Sequence, residues 1–150
     1  MQSRANDKFR SRIDEWLADE DAARAKYGEI GEWDVSGVSD MSSLFKGSLY
    51  DPNKFNSDIS QWNVSGVSDM SYMFKYAVKF NTDVSQWDVS GVSDMSSMFK
   101  YADKFNTDVS QWDVSSVTTM SAMFSSADNF NSDVSQWDVS SVITMSGMFY

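Results

Sequence analysis

Aspartate is the residue whose type and spacing offer chemistry in this chain, because carboxylates bind cations and act as acids or bases. An unbroken set recurs every 25 residues and consists of Asp58, Asp83, Asp108 and Asp133. A second set, interrupted by Asn63, consists of Asp34, Asp88, Asp113 and Asp138. Stacked carboxylates suit Ca²⁺, so calcium binding through Asp58, Asp83, Asp108 and Asp133 is one hypothesis. The alternative is that each aspartate accepts backbone N–H bonds in a turn and needs no metal.

Catalysis has few candidate residues. The sequence contains no His and no Cys, which removes the usual general base, thiol nucleophiles and disulfides. An enzyme would depend on paired carboxylates. No acidic residue breaks the repeat described below, whereas an active site is normally a local exception to such a pattern. We therefore expect a non-catalytic protein without a cofactor and keep a carboxylate enzyme as the lesser alternative.

The charge is unevenly distributed. Residues 1–28 are neutral, whereas residues 29–150 hold six Lys against sixteen Asp and Glu and so carry the whole net charge of −10. Such a surface repels phosphate groups, which argues against a nucleic-acid partner. No apolar run is long enough to span a bilayer, and we expect no signal peptide at the N-terminus. The composition leaves the cellular compartment open.

Self-similarity dominates the sequence. Tryptophans recur at Trp33, Trp62, Trp87, Trp112 and Trp137, with spacings of 29, 25, 25 and 25 residues. The complete units 55–79 and 80–104 share 20 of 25 positions, and 105–129 is a third unit. We assign 1–28 to a helical cap and 29–150 to the repeats, with a partial unit at 29–54 and an incomplete one at 130–150. The four extra residues of the first unit lie in a loop around Pro52.

The apolar pattern within a unit predicts its local structure. The alternation over Trp87-Asp88-Val89 is typical of a short strand. Met95, Met98, Phe99 and Ala102 have the spacing of a helical stripe, with Asp94 or Ser93 before it as a natural N-cap. We therefore predict an α/β repeat solenoid, a right-handed stack of about five coils with one short parallel strand and one short helical turn each. The repeated Trp and Phe residues should be buried one above another.

The N-terminal segment follows a different pattern. Phe9, Ile13, Trp16 and Leu17 lie on one face of a predicted helix over residues 9–18. A second helix is expected from about Asp21 to Lys26, with Gly28 as its stop. We expect the first helix to cover the exposed apolar edge of the first unit, as the end of a stacked array requires.

Two surfaces are candidates for partner binding. The first consists of cationic and aromatic side chains that the later units lack: Lys75, Tyr76, Lys79, Lys100, Tyr101 and Lys104. The alternative for these lysines is simple pairing with nearby acids. The second is the apolar edge of the last unit: Val139, Val142, Met145, Met148 and Phe149. No further unit covers it in this sequence, so we expect either a protein partner or further repeats of the same chain.

One repeat, Phe105-Asn106-Thr107-Asp108-Val109-Ser110-Gln111-Trp112-Asp113-Val114-Ser115-Ser116-Val117-Thr118-Thr119-Met120-Ser121-Ala122-Met123-Phe124, resembles the BspA-type repeats of bacterial surface proteins. The lead-in from Ile13 to Ile30 resembles algal members. The resemblance implies a leucine-rich-repeat-like solenoid, a cell-surface or extracellular location, and a role in adhesion, protein–protein contact or structural scaffolding. It implies no catalytic residues. The chain lacks the lipobox Cys of some members, so a lipid anchor is not expected.

Overall fold

Two helices begin the chain. The structure is a computed structural model that describes residues 2–150, with side chains from residue 4 onward. Helix α1 spans Gln2–Ala18 and helix α2 spans Glu20–Tyr27. Between them the Asp19 side chain accepts a 3.0 Å hydrogen bond from the Ala22 amide and caps α2. Gly28, with φ of 78°, ends α2 in a conformation that favours glycine.

Helix α1 packs its apolar face on the repeats. Phe9, Ile13 and Trp16 are buried, and the Phe9 ring meets the Trp62 ring edge-on at 5.5 Å. Leu17 is 41% exposed, so the expectation that it joins this face is wrong. The sequence predicts this helix from residue 9, whereas in the structure it begins earlier, at Gln2, and its first turns consist mainly of polar residues.

Polar groups of α1 also satisfy the backbone of the first unit. The side-chain oxygen Oδ1 of Asn6 accepts a 3.0 Å hydrogen bond from the Ser39 amide. Arg10 donates a 2.7 Å hydrogen bond to the Ser42 carbonyl oxygen. In later units the corresponding amide and carbonyl bond to a neighbouring unit, so α1 supplies partners that a preceding unit would otherwise supply.

The predicted fold class is wrong. Within residues 2–150, the segment after α2 contains one 3₁₀ helix, Ile30–Glu32, but no strand and no α-helix. Neighbouring units are joined by isolated parallel bridges such as Asp69 to Asp94 and Asp94 to Thr119. The structure is therefore not an α/β, right-handed, leucine-rich-repeat-like solenoid with a strand and a helical turn in every coil.

The hydrogen bonds of the segment predicted as helical explain its actual form. The amides of Ser97, Phe99 and Tyr101 donate to carbonyls of the next unit over 2.9–3.0 Å. The intervening amides, such as those of Met98 and Lys100, donate three residues back along their own unit over 3.2 Å. Since alternate amides serve two different directions, the segment is neither a helix nor a strand but a series of turns linked to its neighbour.

A left-handed residue recurs in every unit and prevents a helix. The φ angles are 57° at Ser43, 59° at Tyr72, 52° at Ser97, 55° at Ala122 and 64° at Gly147. A positive φ is unfavourable for residues other than glycine, and only the surrounding hydrogen bonds hold it here. The stripe of buried Met and Phe has helical spacing because consecutive turns also return side chains to one side.

The strand predicted over Trp87-Asp88-Val89 is an aspartate turn. The Asp88 side chain accepts hydrogen bonds from the Ser90 amide at 3.1 Å and the Ser90 hydroxyl at 2.6 Å. Trp87 and Val89 are buried and Asp88 is exposed, so the alternation of the pattern is real. It arises from a turn rather than from a pleated strand.

Aromatic columns form the core between units. The rings of Phe45, Phe74, Phe99 and Phe124 stack at centroid distances of 5.5–5.7 Å, which confirms the expected stacking of Phe99 between its equivalents. The four later tryptophans are also buried as expected. Each donates its indole N–H to the carbonyl three residues before the preceding tryptophan, as Trp112 does to Val84 at 3.0 Å.

Candidate protein-interaction site

Lysines at equivalent positions of three units form what we term the lysine row: Lys46, Lys75 and Lys100. The ammonium groups of Lys46 and Lys75 each lie 5.4 Å from the centroid of the Tyr72 ring. The Lys100 ammonium lies 5.4 Å from the Tyr101 ring. Cations over aromatic rings gain modest attraction and keep their positive charge. Each of the three units contributes one lysine, and the inter-unit hydrogen bonds of the turn segment hold the lysines at equivalent positions.

Among the described residues, the lysine row has no carboxylate partner. Every ion pair within 4.0 Å in residues 2–150 involves Arg10, Arg24 or Lys26, all in the two helices. Partial burial lowers the pKa of Lys75, and the neighbouring Lys100 and Lys46 lower it further. The alternative that these lysines simply pair with nearby acids is therefore not realised in the structure. They repel one another on a protein with a net charge of −10.

Two tyrosines extend this surface. Tyr76 and Tyr101 stack at a centroid distance of 4.5 Å with their ring planes 12° apart. Burial raises the pKa of Tyr76, and Tyr101 raises it further. Both residues have left-handed backbone, with φ of 58° and 59°. Lys79 and Lys104 lie four residues after Lys75 and Lys100 and are exposed. The structure therefore gives the predicted patch two stacked aromatic rings and unpaired cations, which are favourable for contact with an anionic surface.

Sequence reasoning missed one residue of this surface, Tyr72. The alignment of Lys46 with Lys75 and Lys100 in the repeat is visible in the sequence. Tyr72 gave no signal, because Ser97 stands at the same position in the next unit and only the left-handed turn brings the Tyr72 ring between two lysines. Lys46 also lines a cleft of about 530 Å³ with Trp16, Leu17 and Pro52, between α1 and the extra loop of the first unit.

The apolar edge of the last unit is partly covered. Val139, Met145 and Phe149 are exposed, Val142 is half-buried, and Met148 is buried. The Phe149 ring stacks on Phe124 at 5.8 Å and so continues the phenylalanine column. The backbone here differs from that of earlier units. The amides of Met145, Gly147 and Phe149 make no hydrogen bond within residues 2–150, whereas their counterparts Met120, Ala122 and Phe124 do.

The regular aspartates lie in turns. Asp58, Asp83, Asp108 and Asp133 form what we term the aspartate row, and each accepts the amide of the serine two residues later over 2.9–3.0 Å. These hydrogen bonds lower the pKa of Asp83, through the hydroxyl and amide of Ser85, while Asp58 and Asp108 oppose the shift. No cluster of three or more potential metal-ligating side chains occurs in the described part of the chain. One oxygen of each carboxylate already serves the turn.

Neither described helix is long and apolar enough to cross a bilayer.

The comparisons with known proteins give one match. No curated protein and no solved structure is similar to the chain. The family model described as "Mycoplasma protein of unknown function, DUF285" matches residues 12–115 and 84–150, which overlap because the units resemble one another. The two matches cover most of the chain and support the predicted relation to repeat-containing surface proteins at the level of a related repeat family. The chain therefore belongs to the DUF285 family of Mycoplasma proteins of unknown function.

Proposed function

We propose that this chain is a non-catalytic protein–protein interaction module of a surface repeat protein, with a role in adhesion or as a structural scaffold, and that its lysine row contacts an acidic partner surface. The observation that carries the proposal is the lack of any carboxylate within 4.0 Å of Lys46, Lys75 or Lys100 in the described structure. Sixteen acidic residues are available in the same region. Unpaired cations, of which Lys75 and Lys100 are also half-buried, gain most from a partner that brings carboxylates.

The aromatic residues suit the same role. Tyr76 and Tyr101 are already stacked and held by the turn backbone, so little side-chain entropy is lost when a partner covers them. Tyrosine offers an apolar ring and a hydroxyl, a combination common at protein interfaces. The BspA-type resemblance of the repeats supports a surface location, since such repeats occur in bacterial surface proteins.

A binding experiment tests the proposal. Immobilised polyglutamate is the acidic probe, and immobilised polylysine is the basic probe used for comparison. We expect the chain to bind polyglutamate through the lysine row at about 0.15 M salt, where the repulsion from its net negative charge is screened. The variant with Lys75→Ser and Lys100→Ser, which introduces the residue found at Ser125, should lose most of this binding. Raising the salt to about 0.5 M should also weaken it, because the Debye length then falls to about 4 Å.

A matched control removes the same charge elsewhere. Arg4 and Lys8 are exposed on α1, and Arg4→Gln with Lys8→Gln keeps the helix propensity. This variant should bind polyglutamate nearly as the parent does. Equal losses in the two double variants would mean that only the net charge matters, and the lysine row would then lose its special role.

We further propose the exposed edge of the last unit as a second contact surface. In the described structure three amides next to exposed Val139 and Phe149 make no hydrogen bond, and the polypeptide edge of a protein partner can supply carbonyl oxygens to them. Adding two units of the 105–129 sequence after residue 150 covers this surface. A partner lost on that extension, but retained by the Lys75→Ser and Lys100→Ser variant, would assign the contact to the last unit.

A further inference from the structure

The lysine row and the aspartate row share one spacing because both recur once per unit. The ring centroids of Phe45, Phe74, Phe99 and Phe124, one from each successive unit, are 5.5–5.7 Å apart, and this distance is the spacing between units in the core. The aspartate row is exposed in all four units. Each Asp uses Oδ1 for its turn, as Asp108 does with the Ser110 amide at 2.9 Å. The other carboxylate oxygen has lone pairs left for a cation.

Each row contains like charges that repel. Lys46 and Lys100 both lower the pKa of Lys75, and Asp58 and Asp108 both act to raise the pKa of Asp83. No lysine of the row lies within 4.0 Å of an aspartate of the same molecule in the described structure. A row of opposite charge from another molecule would relieve both sets of repulsions.

We propose that the lysine row of one copy of this chain docks on the aspartate row of a second copy. This inference rests on the proposed function and names the partner of the same site. Because both rows belong to one repeat, three lysines meet three aspartates in register. An extended peptide matches less well, since its side chains on one face recur about every 6.7 Å.

The interface is heterologous, because it joins different surfaces of the two copies. Each copy in a pair then keeps one row free, so association continues to larger species. The net charge of −10 per copy opposes association at long range. At about 0.15 M salt the Debye length of about 8 Å screens that repulsion more than it screens ion pairs in contact. Association is therefore weak and is strongest at moderate salt.

Sedimentation velocity over a concentration series tests the proposal with two complementary variants. The first combines Lys75→Ser and Lys100→Ser. The second combines Asp83→Asn and Asp108→Asn, which keeps the turn, since Asn63 accepts the Ser65 amide at 3.2 Å in the same way as an aspartate. Asp88→Asn with Asp113→Asn is the control, because it makes the same charge change in the other aspartate set.

We expect the parent chain and the control to show a sedimentation coefficient that rises with concentration at about 0.15 M salt and less so at about 0.5 M. Each complementary variant alone should remain monomeric. An equimolar mixture of the two should associate, because one supplies intact aspartates and the other intact lysines. Circular dichroism should show both variants folded.

Three outcomes would overturn the inference: a monomeric parent at every concentration, association that survives in either complementary variant, or a mixture that stays monomeric. A monomeric parent that still binds polyglutamate through Lys75 and Lys100 would leave the proposed function standing with a different acidic partner. A parent chain that neither self-associates nor binds polyglutamate would remove the proposed function as well.

Discussion

The indole N–H of Trp87 donates a 3.1 Å hydrogen bond to the carbonyl oxygen of Ile59 in the preceding unit. Trp62, Trp112 and Trp137 repeat this bond with their own preceding units over 2.8–3.0 Å. The tryptophan therefore does more than fill the core, because it links two units by giving a second hydrogen bond to a carbonyl that also accepts an amide of its own unit, as Ile59 does from Trp62 at 3.2 Å. This explains why one Trp per unit recurs at a fixed place in a structure without strands.

Replacing Trp87 tests this double role. Trp87→Ala should lower the free energy of unfolding by about 3–5 kcal/mol through lost burial and a cavity. Trp87→Phe keeps most of the apolar volume and removes only the indole hydrogen bond, since the Ile59 carbonyl still accepts the Trp62 amide at 3.2 Å, so we expect a smaller loss of about 0.5–1.5 kcal/mol. Urea denaturation followed by circular dichroism measures both. Ile143→Ala, at a residue 83% exposed, is the control and should change stability by less than about 0.5 kcal/mol.

The left-handed backbone at Ala122 predicts a substitution that stabilises the protein, in contrast to the changes at Trp87. Ala122 has φ of 55°, and Gly147 occupies the same position in the last unit. Ala122→Gly removes a strain of about 1–2 kcal/mol and adds backbone entropy of about 0.5–1 kcal/mol to the unfolded chain. We expect a net stabilisation of about 0.5–1 kcal/mol in thermal unfolding. Ala25→Gly, on the exposed face of α2, should instead destabilise by about 1 kcal/mol. Destabilisation by both changes would contradict the left-handed turn.

The sequence predicted the repeat period, its buried positions and the two N-terminal helices, because all of these depend on apolar periodicity and on caps such as Asp19 and Gly28. It did not predict the conformation of the units. A positive φ at Tyr72 or Ser97 is not readable from residues that normally avoid it. The alternation at Trp87, Asp88 and Val89 fits a strand and an aspartate turn equally well, and only long-range hydrogen bonds decide between them.

The candidate surface, like the fold, was only partly predictable from the sequence. The loss of lysine at Ser125 marked Lys75 and Lys100 as a local feature of the early units. The absence of ion pairs at these residues was not predictable, since it depends on how far the turns place them from the acids. The exposure of Leu17 likewise depends on how α1 lies against the repeats.

Helix α1 should contribute stability through the buried side of its face. Ile13 is fully buried, whereas Leu17 is exposed. Ile13→Ala should lower the free energy of unfolding by about 2–5 kcal/mol, and Leu17→Ala by less than about 0.5 kcal/mol. Guanidinium denaturation compares the two variants. Similar small effects would mean that α1 does not pack on the repeats in solution.

The aspartate turns predict acid sensitivity. Hydrogen bonds lower the folded-state pKa of Asp83, Asp88 and Asp113. Their contribution to stability is present above the unfolded-state pKa of about 3.9 and is lost as the pH falls through the lower folded value. The thermal midpoint should therefore fall steadily below about pH 4. Asp83→Asn should make this decline shallower, because the amide does not titrate.

Calcium should leave the thermal stability of the protein unchanged. Each carboxylate of the aspartate row already accepts an amide N–H, and the turn needs no cation. Neither millimolar Ca²⁺ nor EDTA should move the melting temperature, because a ligand that binds only the folded state must raise it. A rise of several degrees with Ca²⁺ would restore the calcium hypothesis.

Amide hydrogen exchange followed residue by residue by NMR tests the central claim, that alternate amides of each turn segment bond to the next unit. The amides of Ser97, Phe99 and Tyr101 donate to the following unit, whereas those of Gly147 and Phe149 make no hydrogen bond in the described structure. We predict slow exchange, close to the global unfolding limit, for the first three and fast exchange for the last two. Fast exchange at Ser97 and Phe99, in a protein whose helices remain protected, would contradict this account.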